Sequence, residues 1–472
     1  MFSQNFSNLI LNTDSYKTSH WVQYPPNTEY VSSYIEARGT STNAFDNVLF
    51  FGLQAFLKEY LTKPITQTDI DEAKTVLTAH GVPFNETGWQ RLLDKYDGYL
   101  PLRIQAVPEG TVVATGQVLC QVVNTDPEFF WLTSYIETSL LRAIWYPTTV
   151  ASLSYYCKQI IKAGLEKSAD NLDSLPFKLH DFGARGVSSL ESASLGGLAH
   201  LVNFSGTDTL SALIGASRWY GMDGSSEDKS MPAFSIPAAE HSTMTSWGRE
   251  HEAEAYANML TQFGGDGKIV AVVSDSYDLW NAIDNIWGGE LKEQVEKMGG
   301  TLVIRPDSGD PIKVVREALQ RLAVKFGTTT NSKGYKVLPN CVRLIQGDGI
   351  NPTSIGKIIE AVLQAGFSSE NITFGMGGGL LQQVNRDTLN FAMKTSAAMV
   401  AGEWRDVYKD PITSVNKRSK KGRLALVNQA ENLITIREDE LANATNLLED
   451  VFVDGKLLVD DSLTVIRQRS ES

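Results

Sequence analysis

TLVIRPDSGDP, residues 301–311, is a short apolar run that breaks into a polar, glycine-containing loop. Its Leu-Val-Ile centre suits a buried strand, and the Pro, Asp, Ser and Gly that follow are turn residues. A helical stretch comes next. The same order of strand, loop and helix recurs at LVNFSGTD (201–208), FSIPAAEHS (234–242), IVAVVSDSYD (269–278), VRLIQGDGI (342–350) and ITFGMGGGLL (372–381). Spacings of roughly 30–40 residues are those of βα units. Six or seven such units can close into a parallel barrel, whose chemistry sits in the loops at the C-terminal strand ends. Here those ends carry Asp208, His241, Asp275, Arg305, Asp307, Asp348 and the glycines 377–379. Core packing accounts for the apolar runs but not for this inventory.

On either side of these units the pattern changes. IQAVPEGTVVATGQVLCQVV (104–123) has β-branched runs broken by Pro-Glu-Gly and Thr-Gly, the mark of antiparallel strands with turns. After about residue 390 the basic run NKRSKKGR (416–423) precedes LALVNQAENLITI, which reads as a strand pair. The tail is assigned back to the N-terminal segment.

Bulk properties narrow the class. The 472 residues suggest two or three domains, and 42% hydrophobic with 21% charged residues is ordinary for a soluble globular protein. No apolar run reaches the ~18 residues needed to span a bilayer, and the N-terminus does not read as a signal peptide. Three widely spaced cysteines, Cys120, Cys157 and Cys341, exclude a CxxC zinc site and a disulfide framework, and fit a reducing cytoplasm. A net charge of −13 argues against general nucleic-acid binding, while leaving room for a local basic pocket.

Several constellations carry two readings each. Arg305 can pair bidentately with phosphate and Asp307 can accept from ribose hydroxyls; the plain alternative is a capped turn with an ion pair. In GMGGGLLQQ (375–383), glycines let backbone N–H groups approach a phosphate, though glycine turns are common; Arg386 and Lys394 follow on the same stretch. The basic run 416–423 is a solvated loop, a targeting signal or a polyphosphate contact, and we favour the last. His241 stands at a loop-to-helix junction, where a histidine serves as nucleophile, acid–base group or structural residue. His251, with Glu252 and Glu254, is not an HExxH motif and reads as a surface helix, and His180 beside Asp181 reads as holding a loop.

Taken in order, TDSYK (13–17), QYPPNT (23–28), DKYDGYLP (94–101), WYPTTVA (145–151), KLHDFGARGVSS (178–189), HLVNFSGTDT (200–209), PAAEHST (237–243), VVSDSYD (272–278), IRPDSGDP (304–311), IQGDG (345–349), FGMGGGLLQ (374–382) and NKRSKKGRL (416–424) resemble the nicotinamide phosphoribosyltransferases over nearly the whole chain. These are type II phosphoribosyltransferases, related to enzymes that use nicotinate or quinolinate. The resemblance implies an α/β protein: an irregular α/β barrel catalytic domain (151–389) and a second mixed α+β domain built from the N- and C-terminal segments (1–150 with 390–472). It implies a cytoplasmic homodimer with shared active sites, without nucleic-acid or membrane partners. Nicotinamide and phosphoribosyl pyrophosphate would be its substrates, with ATP as phosphoryl donor and Mg²⁺ held mainly through pyrophosphate.

Residue by residue, the resemblance implies that Phe182 and Tyr16 of the partner subunit sandwich the pyridine ring. Asp208 would accept from the carboxamide nitrogen, and Arg185, Arg305 and Asp307 would hold pyrophosphate and ribose. Gly347 and Asp348 would face the ribose, and Gly377 and Gly378 the 5′-phosphate. Arg38, Arg386, Lys394, Lys409 and Lys417 would supply positive charge, several of them across the dimer. ATP would phosphorylate His241, oriented by Asp275. Two departures from the family pattern stand out: Ala392 replaces a serine expected at the 5′-phosphate, and Ala271 replaces a polar residue expected in a tunnel behind the base.

Overall fold

The computed structural model describes residues 8–39, 46–221, 231–410, 419–430 and 432–471. Two compact units emerge, one of Met1–Ser152, Ser217–Gly221 and Asn385–Ser472, the other of Leu153–Ala216 and Met222–Val384. Among the described residues no helix is long and apolar enough to cross a membrane.

In the second unit the apolar runs become parallel strands at Leu179–Asp181, Gly206–Thr207, Ile269–Val273, Thr301–Arg305, Val342–Gln346 and Ile372–Met376. Their central residues are buried, as expected where both faces of a parallel sheet are covered. Leu344 pairs with Ile372, Val342 with Leu302, Val273 with Arg305, Phe374 with Leu179, and His180 with Gly206. Helix starts follow from local chemistry. Asp310 caps the N–H groups of Ile312 and Lys313 with Pro311 at the first helical position, and Asn351 forms a capping box with Ser354 ahead of Pro352–Gln364.

Two of the expected strands are corrected. Leu201–Phe204 is not extended: Leu201 donates to Gly197 O at 3.1 Å, so this apolar stretch finishes the helix Leu190–His200, and only Gly206–Thr207 joins the sheet. Buried helix ends and buried strands share the same apolar pattern over so few residues. The segment from Phe234 to Ala239 forms no regular strand either. It makes single parallel bridges, Gly206 to Phe234 and Ala238 to Ala271. Phe234 N–H donates to Ser205 O at 2.8 Å and Ala271 N–H to Pro237 O at 2.9 Å, which carries the ring of strands across the gap. Pro237 has no N–H to give, so a continuous ladder is impossible there. The ring is therefore closed by seven segments, one of them irregular. At its foot the buried Lys178 donates to Glu370 O and Ile372 O at 2.7 and 3.1 Å, and burial brings its ammonium down to about 7.

In the first unit a seven-stranded sheet holds, in spatial order, Glu403–Asp406, Phe391–Val400, Thr28–Ala37, Val118–Asn124, Leu102–Ala106, Glu449–Val453 and Lys456–Leu457. Leu102–Ala106 and Val118–Asn124 are antiparallel as expected, but the strand between them, Val112–Ala114, pairs with Asn47–Leu49 instead. The tail strands Leu424–Gln429 and Asn432–Arg437 form the expected antiparallel pair. Trp89 anchors this unit's core, edge-on to Trp131 at 4.8 Å and to Tyr135 at 5.1 Å.

Candidate active site

The C-terminal ends of the barrel strands bring two groups of side chains together. The first surrounds Phe182, whose N–H donates to Met376 O at 2.9 Å. Its ring lies over Gly375, where an added Cβ would come within 2.0 Å of Phe182 Cε2, and beside Gly347, where a Cβ would lie 3.4 Å away. Two neighbouring strand ends without side chains thus form a flat seat for an aromatic ring. Below it Ala271, Val303 and Ile345 make a small apolar cluster against Phe182 and Ile236. Ala271, one of the two departures from the family pattern, is part of that floor.

Asp208 follows the Gly206–Thr207 strand. Its Oδ1 accepts from His180 Nε2 at 2.8 Å and from Ser235 Oγ. Burial pushes the Asp208 carboxyl up, but the hydrogen bonds from His180 and Ser235 more than reverse this, leaving it below the usual carboxylate range. The His180 ring also sits 5.2 Å from that of Phe182. His180, read from sequence as a loop holder beside Asp181, instead serves Asp208. It stands one position from Asp181, but alternation along a strand turns neighbouring side chains to opposite faces.

The second group centres on His241, at the start of the short helix His241–Thr245. Its Nδ1 lies 2.9 Å from Ser276 Oγ, and its Nε2 faces Asp275 Oδ1 at 3.7 Å and Asp307 Oδ2 at 3.6 Å. Asp275 Oδ2 accepts from the Asp307 N–H at 2.9 Å and from Ser308 Oγ. Arg305 Nη2 donates to Asp307 Oδ2 at 3.1 Å. Arg305, Asp307, Asp275 and His241 are therefore one connected cluster, built from two strand ends and the irregular segment that closes the ring. Two of its atoms, Arg305 Nε and Asp275 Oδ1, are buried with no hydrogen-bond partner among the described residues. Such groups are costly unless a further partner completes them, which marks a polar ligand position. The plain reading of the 305–310 loop is met: the capped turn and the Arg305–Asp307 ion pair both exist.

The remaining expected residues divide. Arg185 is exposed on the short turn Ala184–Gly186, and Asp348 is exposed after Val342–Gln346. A Cβ at Gly186 would lie 3.4 Å from Gly378 Cα, so the Arg185 turn packs against the Gly377–Gly378 turn. The helix opened by those glycines, Gly378–Leu381, has a single turn. Tyr16, Arg38, Arg386, Lys394 and Lys409 all belong to the first unit. Tyr16 is exposed; Arg38 Nε donates to Glu36 at 2.9 Å; Arg386 pairs with Asp387. Burial lowers the Lys394 ammonium, helped by the charges of Arg38, Lys17 and Lys409. Lys417 lies outside the described residues. Lys420, within the basic run, is turned inward onto Glu36 and Gly116 O. His251 pairs with Glu254 at 2.8 Å on the surface, as read from sequence.

Ser235 and Ser276 carry no signal of their own in the sequence, while Ser308, a loop residue expected to offer an oxygen, donates to Asp275 Oδ2. A serine beside an aspartate is commonplace, and its partner is set by a contact far along the chain. Among the described residues no three His, Cys, Asp or Glu side chains converge as a metal cage. The buried, unpartnered Asp275 Oδ1 fits an ion such as Mg²⁺, which keeps most of its waters and takes one or two carboxylates plus substrate phosphates.

Comparison with known proteins accords with this geometry. Residues 177–456 match the nicotinate phosphoribosyltransferase (NAPRTase) family, and residues 8–104 match the nicotinamide phosphoribosyltransferase N-terminal domain. The chain is 53% identical to the nicotinamide phosphoribosyltransferase of Xanthomonas campestris pv. campestris, over 98% of each chain. It is 32% identical to that of Acinetobacter baylyi, over 97% of this chain and 95% of the relative. Its fold is similar to a nicotinate-nucleotide pyrophosphorylase from Pyrococcus furiosus, with a TM-score of 0.63 at 15% identity, covering 100% of this chain and 97% of that one. A barrel whose strand ends gather an aromatic seat and a guanidinium–carboxylate–imidazole cluster, in a sequence with these relatives, belongs to the nicotinate phosphoribosyltransferase family and is a phosphoribosyltransferase.

Proposed function

We propose that this enzyme transfers phosphoribosyl from phosphoribosyl pyrophosphate to nicotinamide, giving nicotinamide mononucleotide and pyrophosphate in NAD salvage. The observation that carries the choice of base is the Asp208 carboxyl, held low and hydrogen-bonded to His180, whose ring lies 5.2 Å from that of Phe182. A carboxylate there accepts from an amide NH₂ and repels a second carboxylate, which selects nicotinamide over nicotinate.

In the reaction the pyridine nitrogen attacks the anomeric carbon as the bond to pyrophosphate breaks. Phe182 stacks the flat, electron-poor ring and holds its nitrogen in line. Arg305 and Arg185 meet the charge growing on the leaving pyrophosphate, while Asp307 accepts from ribose hydroxyls. Asp275 would hold Mg²⁺ from the protein side; the ion, when bound, neutralises the phosphates. Gly347 and Asp348 face the ribose, and the Gly377–Gly378 turn presents N–H groups to the 5′-phosphate. By the family pattern a serine at position 392 contributes a hydroxyl to that phosphate, and Ala392 would leave that hydrogen bond unmade. ATP gives its γ-phosphoryl to the His241 imidazole, ADP leaving, and later hydrolysis of that phosphate drives the transfer. The three thiols, free among the described residues, suit a reducing cytoplasm.

The test is mononucleotide formation from phosphoribosyl pyrophosphate with nicotinamide or with nicotinate. Wild type should prefer nicotinamide, and Asp208→Asn should erode that preference by ~1.5–3 kcal/mol, the increment of a charged hydrogen bond. Equal ratios of kcat/KM in the two proteins would remove Asp208 from base selection.

The active form is a homodimer in which Tyr16 of the partner subunit covers the other face of the ring. Tyr16 is 60% exposed, so its side chain is accessible to a second subunit. Tyr16→Ala and Phe182→Ala should each be inactive. Subunit exchange between them should restore about a quarter of wild-type activity, since half the dimers are hybrids with one intact site in two. Full turnover by a monomer, or no recovery after proven exchange, would defeat the shared site.

A further inference from the structure

One sheet face of the first unit gathers positive charge around a single buried acid. Tyr34 and Glu36 alternate along the strand Thr28–Ala37, and Tyr34 pairs across the sheet with Lys394. Residues two apart on a strand, and those directly opposite, share a face. Arg38 follows at the same spacing, its N–H donating to Asn390 O at 3.4 Å. Glu36 is 3% exposed, and both of its oxygens are taken: Oε1 accepts from Arg38 Nε at 2.9 Å and Oε2 from Lys420 Nζ. The Lys420 N–H donates to the Tyr34 hydroxyl at 2.8 Å, which holds the chain there by its backbone as well. The residue before it extends the tie. Ser419 Oγ accepts from the Lys409 N–H at 2.8 Å, and the Ser419 N–H donates to Lys409 O at 3.1 Å. Glu36 is thus linked to Arg38 directly and to Lys409 through Lys420 and Ser419.

The cations held in this way lack counter-charges. Among the described residues Arg38 Nη2 is buried with no hydrogen-bond partner, and neither Lys394 nor Lys409 forms an ion pair. The Lys394 ammonium lies below its usual range, through burial first and then through the charges of Arg38, Lys17 and Lys409. Cations that repel one another beside an unfilled guanidinium edge fit a ligand with several negative charges.

We infer that Glu36 is a positioning residue for polyphosphate: it touches no substrate, but it sets the Arg38 guanidinium and, through Lys420 and Ser419, the Lys409 backbone against one anionic ligand. This rests on the reading of Arg38, Lys394 and Lys409 as cations that meet the phosphates of phosphoribosyl pyrophosphate. With its Nε edge fixed on Glu36, Arg38 is left to offer its Nη edge, which suits a bidentate pair with phosphate. A carboxylate near a phosphate site repels the ligand by itself, so any gain it brings must come through the groups it holds. The chain on both sides of Ser419 is also held to Ser396 O, by the N–H groups of Val407 and Gly422 at 2.8 Å each, so the fold does not depend on Glu36 alone.

The test is the KM for phosphoribosyl pyrophosphate at saturating nicotinamide, with the Kd for inorganic pyrophosphate as a direct readout of binding. Glu36→Gln keeps the size and one accepting oxygen but removes the charge. The ways in which Glu36 could act differ in sign. If it were only a neighbouring charge, its removal would tighten binding of the polyanion. If it only supported the fold, the Tm would fall while KM and Kd stayed put. As a positioning residue its loss should raise both constants about tenfold, the scale of one charge-assisted hydrogen bond, with KM for nicotinamide changed less than about twofold. Ser419→Ala, which cuts only the link to Lys409, should raise both about threefold. Arg38→Ala is the control for the underlying reading. If it leaves KM and Kd unchanged, the phosphate reading itself fails, and the inference with it. If it raises them while Glu36→Gln leaves them unchanged or lowers them, the role of Glu36 is overturned and the phosphate reading stands. Should Glu36→Gln not fold, Ser419→Ala decides, and an unchanged Kd there overturns the inference.

Discussion

Replacing His241 by alanine should abolish both phosphoryl labelling from γ-labelled ATP and the stimulation of turnover by ATP. The label expected on wild type is acid-labile and base-stable, as a phosphoimidazole is. The setting supports this outcome. His241 is 45% exposed on its side chain, at the first position of a short helix, with Ser276 on one ring nitrogen and Asp275 and Asp307 facing the other. With its side chain nearly half exposed, the ring is not a core group, so the variant should keep wild-type folding. Basal, ATP-independent transfer should survive in part, because on the proposed mechanism Arg305, Arg185 and Mg²⁺ would still stabilise the departing pyrophosphate. Peptide mapping after labelling is the direct check. Label on another residue, or equal ATP stimulation in the variant, would dismiss His241 as the acceptor.

The second large effect is expected from a single methyl group. In Gly375→Ala the new Cβ would come within 2.0 Å of Phe182 Cε2, far inside van der Waals contact. The strand cannot retreat, since Gly375 lies mid-ladder opposite His180. The Phe182 ring must therefore leave its seat, and the stacking face for the pyridine goes with it. KM for nicotinamide should rise by at least about tenfold, the cost of losing one good aromatic contact. Overpacking should lower stability by about 1–3 kcal/mol, leaving a folded enzyme. A double-mutant cycle read as the Kd for nicotinamide, not as turnover, separates the causes: in the inactive Phe182→Ala background the Gly375→Ala change should add little to the loss of binding. Full additivity of the two effects would show that Gly375 acts on binding by another route.

Much of the architecture is readable from local pattern. Five-residue β-branched runs bounded by Gly, Pro and Asp at intervals of one βα unit announce a parallel barrel, and Asp310-Pro311 and Asn351-Pro352 are helix starts that need no distant partner. Placing Asp208, Asp275, Arg305 and Asp307 at strand ends follows from the same pattern, whereas His241 follows an irregular segment. Where it fails, the failures are physical. Leu201–Phe204 is apolar because a helix end is buried there, and burial does not distinguish helix from strand over four residues. Val112–Ala114 has the pattern of the middle strand of a meander, yet Phe50 N–H donates to Thr111 O and draws it to a different partner.

The sequence by itself therefore determined the barrel class, the loops that carry chemistry and the residue types within them, since periodicity, turn formation and capping are properties of neighbours along the chain. Only the tertiary structure decided how those residues work together. It closed the ring through the irregular segment from Phe234 to Ala239, joined His180 to Asp208 across 28 residues, set Ser276 on His241 across 35, and seated Phe182 on Gly375. Those pairings depend on which strands become neighbours and on which face each side chain emerges. Both are settled by hydrogen bonds and packing between segments far apart in the chain, which no local propensity records.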